Sequence, residues 1–224
     1  MSAEKEDMTV RSVLLIGMGR FGMSVAKKLN EMNVQVMAVD MDEERIDSCL
    51  DIVTRAQIGD STNEAFIATL GVSAYDACIL AIGDDFQSSL ETACLLKEQG
   101  AKKVIARACS DVQEKFLLRN GADEVVFPEK QLGAWTAVRS CSERVLDFFE
   151  IGDGCSLFEV QVPQEWTGLS VVDLDVRKRY GINVIGIRHD GKMDMDVGPG
   201  KVFGPDDTVL IAGSIADVQK CFRF

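Results

Sequence analysis

The stretch Val13-Leu14-Leu15-Ile16-Gly17-Met18-Gly19-Arg20-Phe21-Gly22 decides the reading of this chain. Its apolar run predicts a buried strand, and the pattern Gly-x-Gly-x-x-Gly turns that strand at once into a helix. Gly17 allows the tight turn, Gly19 lets backbone approach a phosphate, and Gly22 lets the helix pack on the sheet. The helix N-terminus offers free N–H groups and positive potential to an anion. A second apolar stretch over 34–39 runs into Asp40, a carboxylate placed to accept hydrogen bonds from ribose hydroxyls. Strand, turn, helix, strand and carboxylate in this order predict nucleotide binding.

Outward from this stretch the alternation repeats. Strands are predicted near 13–17, 34–39, 52–57, 76–82, 103–108 and 124–127, and helices near 20–31, 42–50, 62–70, 86–99, 110–119 and 129–148. The strands are short and apolar without alternation, as in Ala77-Cys78-Ile79-Leu80-Ala81-Ile82, which fits a parallel sheet covered on both faces. Gly71, Gly100 and Gly121 mark helix stops. The fold class expected is α/β, a Rossmann-type doubly wound parallel sheet over 11–150. Its closing helix near 129–148 ends in the apolar run Val145-Leu146-Asp147-Phe148-Phe149. That helix reads either as an ordinary core-facing element or as a crossover that packs on a partner subunit. No proline precedes Pro128, and from about 152 the pattern changes. Strands near 156–162, 183–188, 193–196 and 208–213, helices near 171–179 and 215–222, and glycine-proline loops at 198–200 and 204–207 predict a small α+β domain over 152–224.

Composition narrows the classes. A chain of 224 residues, 46% of them hydrophobic, can bury one or two cores. The net charge of −12 argues against nucleic acid or an anionic membrane surface as the main partner. No apolar run reaches the ~18 residues of a membrane-spanning helix. The polar first twelve residues do not read as a signal peptide, so a cytoplasmic location is expected. Seven cysteines, an odd count without a Cys-x-x-Cys pair, predict free and buried thiols. The one histidine, His189, sits where a strand enters a turn and is expected to be exposed. A single histidine leaves no His-based triad and no multi-His metal site within one chain.

The order of motifs then becomes specific. Gly-Met-Gly-Arg-Phe-Gly is followed by Gly59-Asp60-Ser61-Thr62, Ala81-Ile82-Gly83-Asp84-Asp85 and Ala106-Arg107-Ala108. Next come Gly121-Ala122-Asp123-Glu124-Val125-Val126-Phe127-Pro128-Glu129 and Gly181-Ile182-Asn183-Val184-Ile185-Gly186-Ile187. This series resembles the RCK domain, the cytosolic regulator of potassium conductance, over nearly the whole chain past residue 11. It is most similar to the KtrA and TrkA type subunits of bacterial potassium uptake systems.

The resemblance implies a nucleotide site at Gly17, Gly19, Arg20, Phe21, Gly22, Asp40, Met41, Asp60, Ser61, Ile82, Gly83, Arg107 and Glu129. Arg20 can reach a terminal phosphate with charge-assisted hydrogen bonds, and a cation at a helix start is otherwise misplaced against the dipole. It tilts the expected ligand from NAD(H) toward ATP and ADP. Asp40 has the role of helix cap open to it as well, as do Asp60 and Ser61 beside their implied adenine contact. Arg107 fits a phosphate or ribose contact or a structural ion pair. Glu129 fits helix-dipole stabilisation or, by resemblance, a place near the γ-phosphates across a dimer interface, where it would help bind Mg2+ or Ca2+. A second ligand, cyclic di-AMP, is implied at Arg177, Asn183, Val184 and Pro199, with Val171 and Val176 as apolar walls.

Two function classes compete. In the first, ATP/ADP exchange changes the shape of a homodimer assembled into an octameric ring, which gates a membrane pore subunit of KtrB or TrkH type. The second is a nicotinamide-dependent oxidoreductase, which needs a proton donor. No Tyr-x-x-x-Lys pair is present, and Tyr75 and Tyr180 sit in unsuitable contexts for the oxidoreductase. The regulator that the resemblance implies is the expectation.

Overall fold

Strand β1 (Ser12–Ile16) is buried from its second residue onward and holds the centre of a six-stranded parallel sheet. The computed structural model describes residues 11–223, so the residues on which the signal-peptide reading mainly falls lie outside it. The other strands of this sheet are β2 (Gln35–Asp40), β3 (Arg55–Ile58), β4 (Ala77–Leu80), β5 (Val104–Arg107) and β6 (Glu124–Val126). They lie in the order β3-β2-β1-β4-β5-β6, the Rossmann order, which reverses direction beside β1. Helices α1 (Arg20–Glu31), α2 (Glu43–Asp47), α3 (Glu64–Thr69), α4 (Phe86–Glu98), α5 (Asp111–Arg119) and α6 (Pro128–Ser140) follow the strands in turn.

The unbroken apolar runs have a packing cause. In β1, Leu14 and Ile16 enter one core cluster, whereas Val13 and Leu15 enter a second cluster. Successive side chains of a strand point to opposite faces, so both faces of β1 are covered.

The chain divides between Glu129 and Lys130. The second unit is a five-stranded sheet in the order β10-β9-β11-β8-β7, with every pair antiparallel. Its strands are β7 (Val145–Gly152), β8 (Cys155–Gln161), β9 (Asn183–His189), β10 (Lys192–Asp194) and β11 (Thr208–Gly213). The part of α6 past Glu129, with α7 (Val171–Leu174), α8 (Val176–Tyr180) and α9 (Ile215–Phe222), completes it around Phe158, Trp166, Ile182, Phe203, Ile211 and Phe222.

Several expectations are corrected here. The closing helix predicted near 129–148 stops at Ser140, and the apolar run 145–149 is the edge strand β7. Val145 and Phe148 are its buried residues, three apart, which mimics helical spacing. A register shift between Val145 and Asp147 where β7 pairs with β8 produces that spacing. The strand is rich in aromatic and branched residues, and it moves the division of the chain ahead of the 150–152 boundary expected. The helix predicted over 171–179 is broken in two by Asp175, whose φ is 42°. The cysteines are free, but only Cys49 and Cys78 are fully buried, whereas Cys94 and Cys141 are exposed. Burial pushes the Cys78 thiol up to about 12. Among the described residues no helix is long and apolar enough to cross a membrane.

Candidate functional site

The carboxyl ends of β1 to β5 all reach one edge of the parallel sheet, where ligands bind in open α/β folds. There a cleft of about 1260 Å³ is lined by the turns after β1, β2, β3 and β4, by Arg107 ending β5 and by Glu129 opening α6. Every nucleotide-site residue named from the sequence lines it, with the exception of Gly22.

Gly22 acts from behind. A Cβ there would stand 1.9 Å from the Gly17 carbonyl oxygen, so only glycine lets α1 sit this close to the turn. Gly17 itself has φ +94°, which side chains rarely adopt. The turn is pinned to the sheet by Gly17 N–H donating to the Val39 carbonyl at 2.8 Å.

Helix α1 begins without a capping side chain and without an acid in its first turn. Helices α2, α3, α4 and α5 are capped by Asp42, Asn63, Asp85 and Ser110. The N–H groups left uncapped at α1 face the cleft, and these groups together with the helix dipole suit a phosphate. Arg20 is exposed at the first position of α1.

At the end of β2, Asp40 is almost wholly buried. One carboxylate oxygen accepts from Met18 N–H at 2.6 Å and the other from Asp42 N–H at 3.0 Å. Arg45 stands 3.6 Å away. Asp40 therefore braces the glycine turn as well as facing the cleft, and its remaining lone pairs can take ribose hydroxyls. The cap of α2 is Asp42, not Asp40. Asp60 and Ser61 are not caps either, since Asn63 caps α3. Asp60 accepts from Thr62 side chain and backbone, which holds its carboxyl below the ordinary range. Ser61 is buried, with its hydroxyl 2.9 Å from that of Thr92 on α4.

At the far end, Arg107 pairs with Glu129, its Nη2 donating to Oε1 at 2.5 Å. The guanidinium packs against Gly83, where a Cβ would stand 2.4 Å from Nη1, and lies 5.8 Å from the Phe21 ring centre. Its Nε is buried without a partner among the described residues. The Glu129 carboxyl is held below its ordinary range by its own backbone N–H, by the bond to Arg107 and by the charges of Arg107 and Arg20, against partial desolvation. Among the described residues no group of three or more His, Cys, Asp and Glu is placed to hold a metal ion, so a cation here needs phosphate oxygens as well.

Sequence reasoning passed over Glu44 and Arg45 of α2 and Ser48 just after it, which also line the cleft. Arg45 was visible as the cation five positions after Asp40.

The residues implied for cyclic di-AMP are less well assembled. Arg177, Asn183 and Pro199 are exposed and Val171 and Val184 half-buried. Val176 is 4% exposed and belongs to the core cluster of the second unit. His189 ends β9 as an exposed side chain, with Nδ1 2.6 Å from the buried Asp207 carboxylate.

Residues 13–128 match the TrkA-N domain and residues 156–224 the TrkA-C domain. Over 206 residues the chain is 36% identical to Ktr system potassium uptake protein C of Bacillus subtilis (strain 168), covering 92% of this chain and 93% of that protein. The chain belongs to the TrkA/Ktr family of potassium uptake proteins. Ktr system potassium uptake protein A of the same strain is 32% identical over the same shares. The GsuK channel superposes on 95% of this chain and 39% of its own with a TM-score of 0.66 at 17% identity, a likeness of fold. Both domains of the family, TrkA-N on the parallel sheet and TrkA-C on the antiparallel unit, are thus present.

Proposed function

We propose that the chain is the nucleotide-sensing cytosolic subunit of a potassium uptake system, that it gates a separate membrane pore subunit, and that it performs no catalysis. The observation that carries this reading is the uncapped start of α1 with Arg20 beside it, opening on the same cleft as Asp40 and Glu129, in a chain of the Ktr family. The glycine turn would cradle the phosphates, Asp40 would take the ribose, and Asp60 and Ser61 would border the adenine. Arg20 would meet the terminal phosphate, and Glu129 would share a Mg2+ or Ca2+ with it. ATP and ADP would then differ in affinity for two shapes of a homodimer-based ring, and that difference is the free energy available for gating. The chain's one histidine, His189, belongs to the second unit and is not among the residues that line the cleft, which supports sensing over proton-transfer chemistry.

Calorimetric titration with ATP, ADP and NADH, with particle size measured in each state, tests this. ATP and ADP are expected to bind with Kd under ~10 μM and to change the particle. Failure of both to bind, with NADH reducing a substrate, returns the protein to the oxidoreductases.

A further inference from the structure

The ion pair between Arg107 and Glu129 sets two unequal partners inside the cleft. Arg107 is 16% exposed and boxed in, with its guanidinium against Gly83 and beside the ring of Phe21. Glu129 is 57% exposed and sits in the first turn of α6, free to swing on its own side chain. A phosphate oxygen seeks the same donors that a carboxylate seeks. A phosphate arriving at Arg107 therefore meets a carboxylate that already holds Nη2.

We propose that Glu129 is a built-in competitor for the nucleotide's phosphates: Arg107 holds either the Glu129 carboxylate or a phosphate oxygen. This inference rests on the reading of the cleft as a nucleotide site. It has three consequences. The carboxylate penalises each added phosphate charge, so without a divalent cation it acts on ATP more than on ADP. The penalty is Coulombic and is screened by salt. A phosphate that wins Arg107 releases a carboxylate in the first turn of α6, and α6 runs from Glu129, the last residue of the first unit, into the second. Phosphate occupancy is thereby written into the segment that joins the two units.

The test is titration of the full chain with ATP and ADP in EDTA, at low and high salt, for wild type, Glu129→Gln, Glu129→Asp and a control, Glu124→Gln. Glu124 pairs with Lys103 and does not line the cleft. Glu129→Gln should tighten ATP about tenfold and ADP about threefold, as removal of a partly exposed like charge allows. The gain should shrink at high salt. Glu129→Asp keeps the charge on a shorter side chain and should show a smaller gain than Glu129→Gln, whereas the control Glu124→Gln should stay with the wild type. Unchanged or weaker ATP binding by Glu129→Gln overturns the proposal and leaves the nucleotide site standing. No binding of either nucleotide by the wild type overturns the nucleotide reading itself, and this proposal with it.

Discussion

The two sheets differ in where their strand ends lead. In the parallel sheet every strand runs the same way, so the turns after β1, β2, β3 and β4 and the end of β5 meet at one edge and enclose one cleft. Residues as far apart as Gly17 and Glu129 become neighbours in this way. In the antiparallel sheet neighbouring strands run oppositely, so their loops are shared between two edges. A cavity of about 540 Å³ there is formed locally, by the β9–β10 hairpin and the stretch between Lys201 and Asp207. Parallel topology gathers a site from along its whole unit; antiparallel topology yields local ones.

The two tryptophans make this contrast measurable. Trp135 and Trp166 both belong to the second unit, so their fluorescence reports that unit alone, while circular dichroism reports both. The largest effect is expected from Gly22→Ala, because the new Cβ meets the Gly17 carbonyl backbone rather than a flexible side chain. It should cost the first unit about 3 kcal/mol, the upper end of overpacking penalties, and abolish nucleotide binding. The dichroism transition should move to lower urea while the fluorescence transition stays. Gly19→Ala is its counterpart: no heavy atom lies within 4 Å of the added Cβ, so folding should survive and nucleotide affinity alone should fall. Equal unfolding midpoints for the two variants would show that Gly22 is not needed for packing.

Phe158→Ala reverses the experiment. Phe158 is fully buried with the Phe148 ring 5.0 Å away, and the loss should be about 3–5 kcal/mol, read in the fluorescence transition. ADP affinity should not change, since the cleft draws its lining from the first unit. A parallel drop in ADP affinity would break the division of labour between the sheets.

The smallest effect concerns pH. The bond from His189 to Asp207, with the nearby Asp190 charge, raises the imidazole above its ordinary 6.5. A raised histidine stabilises the folded state fully below the unfolded value and loses that contribution as pH rises through the folded value. The fluorescence-detected melting temperature should therefore fall modestly from about pH 6 to about pH 8. His189→Gln should flatten this profile, and an identical slope in the variant would remove the pair from the account.

Much of the first unit was legible because its signals are local. The glycine turn, the carboxylate ending β2 and the glycine helix stops each act through backbone conformation within a few residues. The order β3-β2-β1-β4-β5-β6 follows from the right-handed linking of such units. What escaped depends on contacts between distant residues. The Asp40 carboxylate is spent partly on Met18 N–H, and Arg107 finds Glu129 twenty-two positions on, neither of which any spacing rule announces. The β7 strand was misread because its register shift against β8 puts buried residues at helical spacing. Val176 falls among the buried residues just after the break at Asp175 that separates α7 from α8, a placement that spacing alone does not announce.

The central claim is that the turn opened by Gly17 counts phosphates through Arg20. Titration of wild type and Arg20→Ala with ATP and with ADP, in one buffer, tests it most directly. Loss of one charge-assisted contact predicts roughly thirtyfold weaker ATP binding and less than about threefold weaker ADP binding. An equal loss for both nucleotides would contradict the account, because Arg20 would then serve the shared part of the ligand and not its terminal phosphate.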